Sequence, residues 1–160
     1  VKRQTRILLT LAATVTLVCA DQALAWGPAT HTHLARGVLQ NLALLPAAVA
    51  AVLARRTSSF IFGNIAADVV FAKRLSRVRL VCHHWTTGFR LLDHARDESE
   101  QAFAYGYLSH LAADTVAHGL YVPRQLSITR TTMNFGHLYW EMRADAMMDQ
   151  SSWQVLEGVT

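Results

Sequence analysis

Charge, cysteine and proline are all scarce in this chain, and each scarcity closes off a class of protein. Only 16% of the 160 residues are charged while 52% are hydrophobic. That balance excludes a disordered polypeptide, which buries too little apolar surface to offset the entropy of folding. Two cysteines exclude a disulfide-dense scaffold, and eight glycines with three prolines exclude a collagen-like chain. No stretch alternates apolar and polar residues as a half-buried strand would, and there is no internal repeat, low-complexity segment or linker. The formal charge of +4 falls to about +2 once Lys2, Arg3, Arg6 and Asp21 of the leader are set aside, too little to argue for extended nucleic-acid binding.

Residues 2–6 are basic, residues 7–20 are almost wholly apolar, and Ala23-Leu24-Ala25 is a small-x-small cleavage signal. Residues 1–25 therefore read as a signal peptide. The apolar run is shorter than the roughly 20 residues that span a bilayer, which disfavours a membrane anchor. A lipoprotein reading of Cys19 would leave residues 19–25 ahead of Trp26, but Val18 stands where a small residue is expected. Cleavage after Ala25 predicts a secreted or periplasmic protein, residues 26–160, whose only cysteine is Cys82 and which forms no internal disulfide. It also gives Trp26 a free α-amino group of pKa about 8, a nitrogen donor from which a metal displaces a proton readily.

What is abundant is helical spacing and histidine. The periodicity predicts one all-α, multi-helix domain. Helices are expected over 31–44, 46–55 (opened by Pro46) and 60–71 (capped by Ser58 or Ser59). The basic run 73–79 reads as a connection, followed by helices over 85–96 and, behind an Asp97 cap, 98–120. Pro123 and the Ser/Thr-rich stretch 127–132 predict a loop, and a last helix over 135–156 ends with little sign of a closing element, as in a short family member or a fragment.

Among the eight histidines, the most specific pattern is His110-x-x-x-Asp114-x-x-x-His118 inside the longest predicted helix. Positions i, i+4 and i+8 share a helix face, so two imidazoles and a carboxylate project together. Neutral imidazole and carboxylate are ordinary zinc ligands, and a carboxylate can bridge two ions. His137-x-x-x-Glu141 repeats the pair on the last helix. Asp68 lies among small and apolar residues, where a buried acid needs a partner, and His83-His84 precede Trp85.

In order and spacing, Trp26-Gly27-Pro28-Ala29-Thr30-His31, Asp68, His83-His84-Trp85, His110 to His118 and His137 to Glu141 resemble the zinc-dependent phospholipase C family, which shares its fold with single-strand-specific nucleases. The compact Asp114 to His118 spacing is similar to the GPI-specific phospholipase D branch, whereas Trp26 is similar to the bacterial and fungal enzymes. The resemblance implies up to three zinc ions. Asp68, His83, His110 and Asp114 would hold the first, and His118, His137 and Glu141 the second. The amino nitrogen and carbonyl oxygen of Trp26, with His31 and Asp114, would hold the third. His31 is preferred to His33, and His83 to His84.

The expected function is a secreted zinc-dependent phosphoric ester hydrolase that cleaves phospholipid headgroups with a metal-activated water, Asp68 orienting that water or taking its proton. Peripheral contact with a membrane surface goes with such a substrate. The alternatives are a nuclease or nucleotidase of the same fold and a zinc-binding interaction protein without turnover. Asp145, one turn past Glu141, is a candidate to orient the imidazoles, against a solvated acid. The loop carrying Lys73, Arg74, Arg77 and Arg79 reads either as solvated or as a collector of anionic headgroups, and Trp85, Tyr139 and Trp140 as core aromatics in preference to substrate contacts.

Overall fold

The computed structural model describes residues 26–68, 82–130 and 133–159. These residues are helical, with no strand among them: α1 (Pro28–Gln40), a 3-10 turn (Leu42–Leu44), α2 (Ala47–Arg55), α3 (Thr57–Ala66), α4 (Trp85–Asp93), α5 (Glu98–Val116), a π-turn (Ala117–Tyr121), α6 (Val122–Thr129), α7 (Met133–Ala146) and α8 (Gln150–Val159). None of these helices is long and apolar enough to cross a membrane. The expected leader and the basic connection over 73–79 lie outside the described residues.

The longest helix, α5, is the axis. Asp97 starts it as expected, its carboxylate accepting the Ser99 and Glu100 amide hydrogens at 2.8 and 2.9 Å, and Glu98 and Glu100 suit the positive end of the helix dipole. Helices α1, α2, α3 and α4 all pack on it, and the buried side chains Ala35, Leu53, Phe60, Ile61 and Ala102 join four of these elements in one core. Each of the larger of these contributes about 1.5–3 kcal/mol by leaving water. The α3–α5 crossing is the tightest contact. A Cβ on Gly63 would lie 2.1 Å from the Phe103 carbonyl oxygen, and one on Gly106 would lie 2.1 Å from that of Phe60. Backbone meets backbone there because both positions lack a side chain, and this brings the Asn64 carbonyl up to α5.

Several expected boundaries move, for local reasons. Helix α1 begins three residues early because Pro28 sits in the first turn, where no N–H is required. Helix α3 begins at Thr57 instead of behind a serine cap, the Thr57 hydroxyl turning back to the Leu53 carbonyl at 3.2 Å. Helix α4 stops at Asp93, and Arg96 instead gives its backbone N–H and its guanidinium to Glu100. The loop expected around Pro123 is helix α6. Proline is tolerated in its first turn, buried Val122 and Leu126 pin it one turn apart, and it ends at Arg130 with a left-handed φ of 53°. The single last helix is two, broken between Ala146 and Gln150 where Asp149 accepts the Ser152 amide hydrogen at 2.7 Å and restarts the chain as α8.

Candidate metal centre

Five of the sequence-selected residues meet against α5. His110 and Asp114 come from consecutive turns of that helix, His31 from the first turns of α1, Asp68 from just beyond α3, and His83 from just ahead of α4. His110 is fully buried and offers Nδ1 to the Asn64 carbonyl oxygen at 2.7 Å, which fixes the ring and turns Nε2 inward, 3.3 Å from Asp114 Oδ2. His31, also fully buried, stacks on His110 with centroids 4.0 Å apart and places Nε2 3.3 Å from the other oxygen, Asp114 Oδ1. His83 Nε2 lies 2.8 Å from Asp68 Oδ1 and 3.5 Å from Asp114 Oδ2. Asp114 is thus flanked by three imidazoles, one oxygen toward His31 and the other toward His110 and His83.

His118, His137 and Glu141 form a separate group. The π-turn carries His118 and α7 the other two. The His118 and His137 rings lie 5.0 Å apart, and His137 Nε2 is 2.7 Å from Glu141 Oε1.

The charges follow from the packing. Burial pushes the Asp114 carboxyl up, but His110 and His31 outweigh it and hold it well below the usual range. Burial drives the His31 imidazole down despite Asp114. Burial also opposes the charged form of His110, yet Asp114 and Asp68 bring its net shift upward. His137 is lowered by burial and then by His118. Burial, with the negative charges of Asp114 and Asp68, pushes Glu141 up to about 9.

A fit to metal is visible in the orphaned atoms. Among the described residues, the buried side-chain nitrogens and oxygens without a hydrogen-bond partner all belong to His31, Asp68, His110, Asp114, His137 and Glu141. Pairs such as His137 and Glu141 approach closely without the alignment of a hydrogen bond. Both groups are lone-pair donors facing a common space, as ligands around a cation do. Three sets have donor atoms mutually within 4.8 Å: His31, Asp68 and His110; His83, His110 and Asp114; and His118, His137 and Glu141.

The remaining expectations separate cleanly. His84 is spent locally, capping α4 with its ring nitrogen toward the Thr86 backbone N–H and hydroxyl, which leaves His83 to face the acids. His33 is half-exposed beside Asp149 and Ser152, away from the Asp114 group. Trp26 places its ring 6.4 Å from the His31 ring and 5.9 Å from that of Tyr121. Asp145 is neither a solvated acid nor aimed at an imidazole: it is 8% exposed and binds the first turn of α1. Trp85 and Tyr139, expected in the core, are 42% and 55% exposed; Trp85 stacks on exposed Phe89, and Trp140 reaches Thr129 with its indole N–H at 3.4 Å. A groove of about 1050 Å³ between α4 and α5, lined by Thr86, Arg90, His94 and Phe103 among others, contains none of the candidate ligands. Sequence reasoning missed the Asn64 carbonyl, since a backbone acceptor leaves no residue-type signal.

No curated protein and no solved structure matches the chain. A family match spans residues 30–157, nearly the whole described region and every candidate ligand except Trp26. With this donor geometry on α1, α5 and α7, the chain belongs to the zinc-dependent phospholipase C family.

Proposed function

We propose that the protein is a secreted phosphodiesterase that cleaves phospholipid headgroups at a cluster of up to three zinc ions. Asp68, His83, His110 and Asp114 hold the first ion and His118, His137 and Glu141 the second. His31 and Asp114 hold the third, together with the amino nitrogen and carbonyl oxygen of Trp26 freed by cleavage after Ala25. The observation that carries this reading is the convergence of buried, partnerless ring nitrogens and carboxylate oxygens on six of these residues, His31, Asp68, His110, Asp114, His137 and Glu141. Buried polar groups are ordinarily satisfied, so an orphaned set of this composition is accounted for by cations.

Bound zinc supplies Lewis-acid polarisation of a phosphoryl oxygen and a water acidic enough to attack at neutral pH. The chain supplies placement and proton traffic. Asp114 presents its two oxygens to different imidazoles and so links the first and third positions. Asp68 sets Oδ1 2.8 Å from His83 Nε2, as two ligands of one ion would stand, and keeps Oδ2 buried without a partner, available to orient the attacking water and accept its proton. In this reading contact with the lipid surface is peripheral, through side chains outside the metal centre.

The test is hydrolysis by the secreted, zinc-loaded protein of phosphatidylcholine vesicles beside single-stranded DNA. Release of phosphorylated headgroup, abolished by chelation and restored by zinc, is expected. Cleavage of DNA alone would replace the lipid substrate with a nucleic one, and fewer than one zinc per chain would reject the metal centre.

A further inference from the structure

Asp145 is buried on α7 one turn beyond Glu141, yet its carboxylate serves another helix. Oδ1 accepts the Thr30 amide hydrogen and the Thr30 hydroxyl hydrogen, each at 2.7 Å, and Oδ2 accepts the Ala29 amide hydrogen at 3.2 Å. The first turn of a helix has amide hydrogens with no intrahelical acceptor, and an anion there is favoured by the dipole. In α1 the preceding residue, Gly27, has no side chain with which to cap, so the acceptor comes from more than 100 positions along the chain. Gly27 is also what lets the carboxylate in, since a Cβ there would lie 2.4 Å from Asp145 Oδ2. Pro28 lacks an N–H and needs no acceptor. His31, the next residue after the clamped threonine, directs its N–H to Gly27 within the turn.

From this geometry we infer that Asp145 is the positioning residue of the third zinc site, clamping the turn that joins Trp26 to His31 onto α7. The inference rests on the reading of Trp26 and His31 as ligands of one ion. It gives every residue of the Trp26-to-His31 segment a side-chain or backbone duty, Ala29 through its amide hydrogen on Asp145 Oδ2. Gly27 provides clearance, Pro28 starts the helix without an idle donor, Thr30 doubles the tie to Asp145, and Trp26 and His31 are the groups so placed. The clamp also makes α7 common to two sites, because Glu141 and Asp145 lie one turn apart on it. An unclamped segment would have to be ordered by the ion itself, and loss of a residue that orients ligands typically weakens a metal site about 10–100-fold.

The test uses protein secreted with its own leader, with Trp26 verified as the N-terminal residue, and measures zinc per chain and the affinity of each ion by chelator competition. Asp145→Asn turns an amide N–H₂ toward a backbone N–H and is expected to lower the affinity of one ion about 10–100-fold while the other two remain. Arg36→Ala is the control for a purely structural effect. It removes the contacts of Arg36 with Ser151 and Ser152 that tie α1 to α8, at 2.5 and 3.2 Å, and should lower the melting temperature while leaving all three ions in place. Should Asp145→Asn not fold, Thr30→Val removes only the hydroxyl bond and is expected to weaken the same ion several-fold. Unchanged affinity in the folded Asp145 variant, or in Thr30→Val if that variant alone folds, would overturn the clamp. So would loss of the same ion in Arg36→Ala. Two ions in the unmutated protein would instead overturn the third site itself.

Discussion

The group around Asp114 and the group around Glu141 use the same side-chain types, yet their carboxylates respond in opposite directions to burial. Asp114 is drawn below the usual range by two imidazoles, whereas Glu141 is pushed up to about 9. The difference lies in what surrounds each acid. The Asp114 group is assembled by α1, α5 and the segments flanking α3 and α4, with His110 braced by a backbone carbonyl and stacked on His31. The Glu141 group draws on the π-turn and α7 alone, and both Glu141 oxygens are buried without a hydrogen-bond partner. In one group the carboxylate charge is therefore compensated by imidazoles, although His31, Asp68, His110 and Asp114 also keep buried atoms without a hydrogen-bond partner. The other waits for a positive charge to make its burial favourable.

The hardest blow to this contrast is Asp114→Asn. It should lower hydrolysis by more than the roughly 100-fold attached to a supporting residue, and zinc analysis should show loss of the ions near His31 and His110 with the His118 ion kept. Loss of every ion would show that the two groups are not separable. Next, Gly106→Ala forces a Cβ to within 2.1 Å of the Phe60 carbonyl oxygen and should destabilise the fold by about 1–3 kcal/mol, read by chemical denaturation. Because the α3–α5 crossing carries Asn64 and His110, zinc should weaken in the Asp114 group before the Glu141 group. Glu141→Gln sharpens the contrast by a change of sign. It removes a carboxyl that burial forces to stay protonated near neutral pH, a cost the unfolded chain does not bear, and should stabilise the metal-free protein by about 1 kcal/mol, while the zinc-loaded protein loses stability along with the second ion. A melting temperature lowered in both states would mean that Glu141 is already compensated without metal.

The smallest effect belongs to an exposed acid that is also held low. The Arg96 guanidinium and backbone N–H lower Glu100 to about 2. A depressed carboxyl contributes stability above its unfolded value of about 4.5 and loses it as the pH falls toward 2. Glu100→Gln should thus shift the melting temperature less than any change above, with the shift present at pH 7 and gone near pH 2. Solvent screening makes this pair weak where the buried groups are strong.

The all-helical class and the members of the candidate site were legible as patterns, while several helix boundaries around them were not. His110 and Asp114 announce themselves because four-residue spacing on a helix is a direct geometric statement, whereas His118, expected on the same helix face, lies on the π-turn beyond α5 and joins His137 and Glu141 instead. The Asp97 cap and the Pro46 helix start were legible for the same local reason. The missed features are those in which a residue has two local options. Pro123 reads equally as a loop or as the first turn of a helix, and only the burial of Val122 and Leu126 selects the helix. Asp149 reads as a point on a long helix until its carboxylate takes the Ser152 amide hydrogen. Neighbouring His83 and His84 are of one chemical type, so sequence could rank them only by spacing.

By itself, then, the sequence determined the all-helical class, the set of candidate metal-ligating side-chain types and their order along the chain, because each depends on periodicity and chemistry within a turn or two. Only tertiary structure decided that Asp114 faces three imidazoles, that Asn64 turns His110 and that Asp145 reaches back to the start of α1. Those relations span tens to more than a hundred residues and rest on backbone carbonyls, orphaned amides and glycine clearances. Such groups become distinguishable only when helices pack against one another.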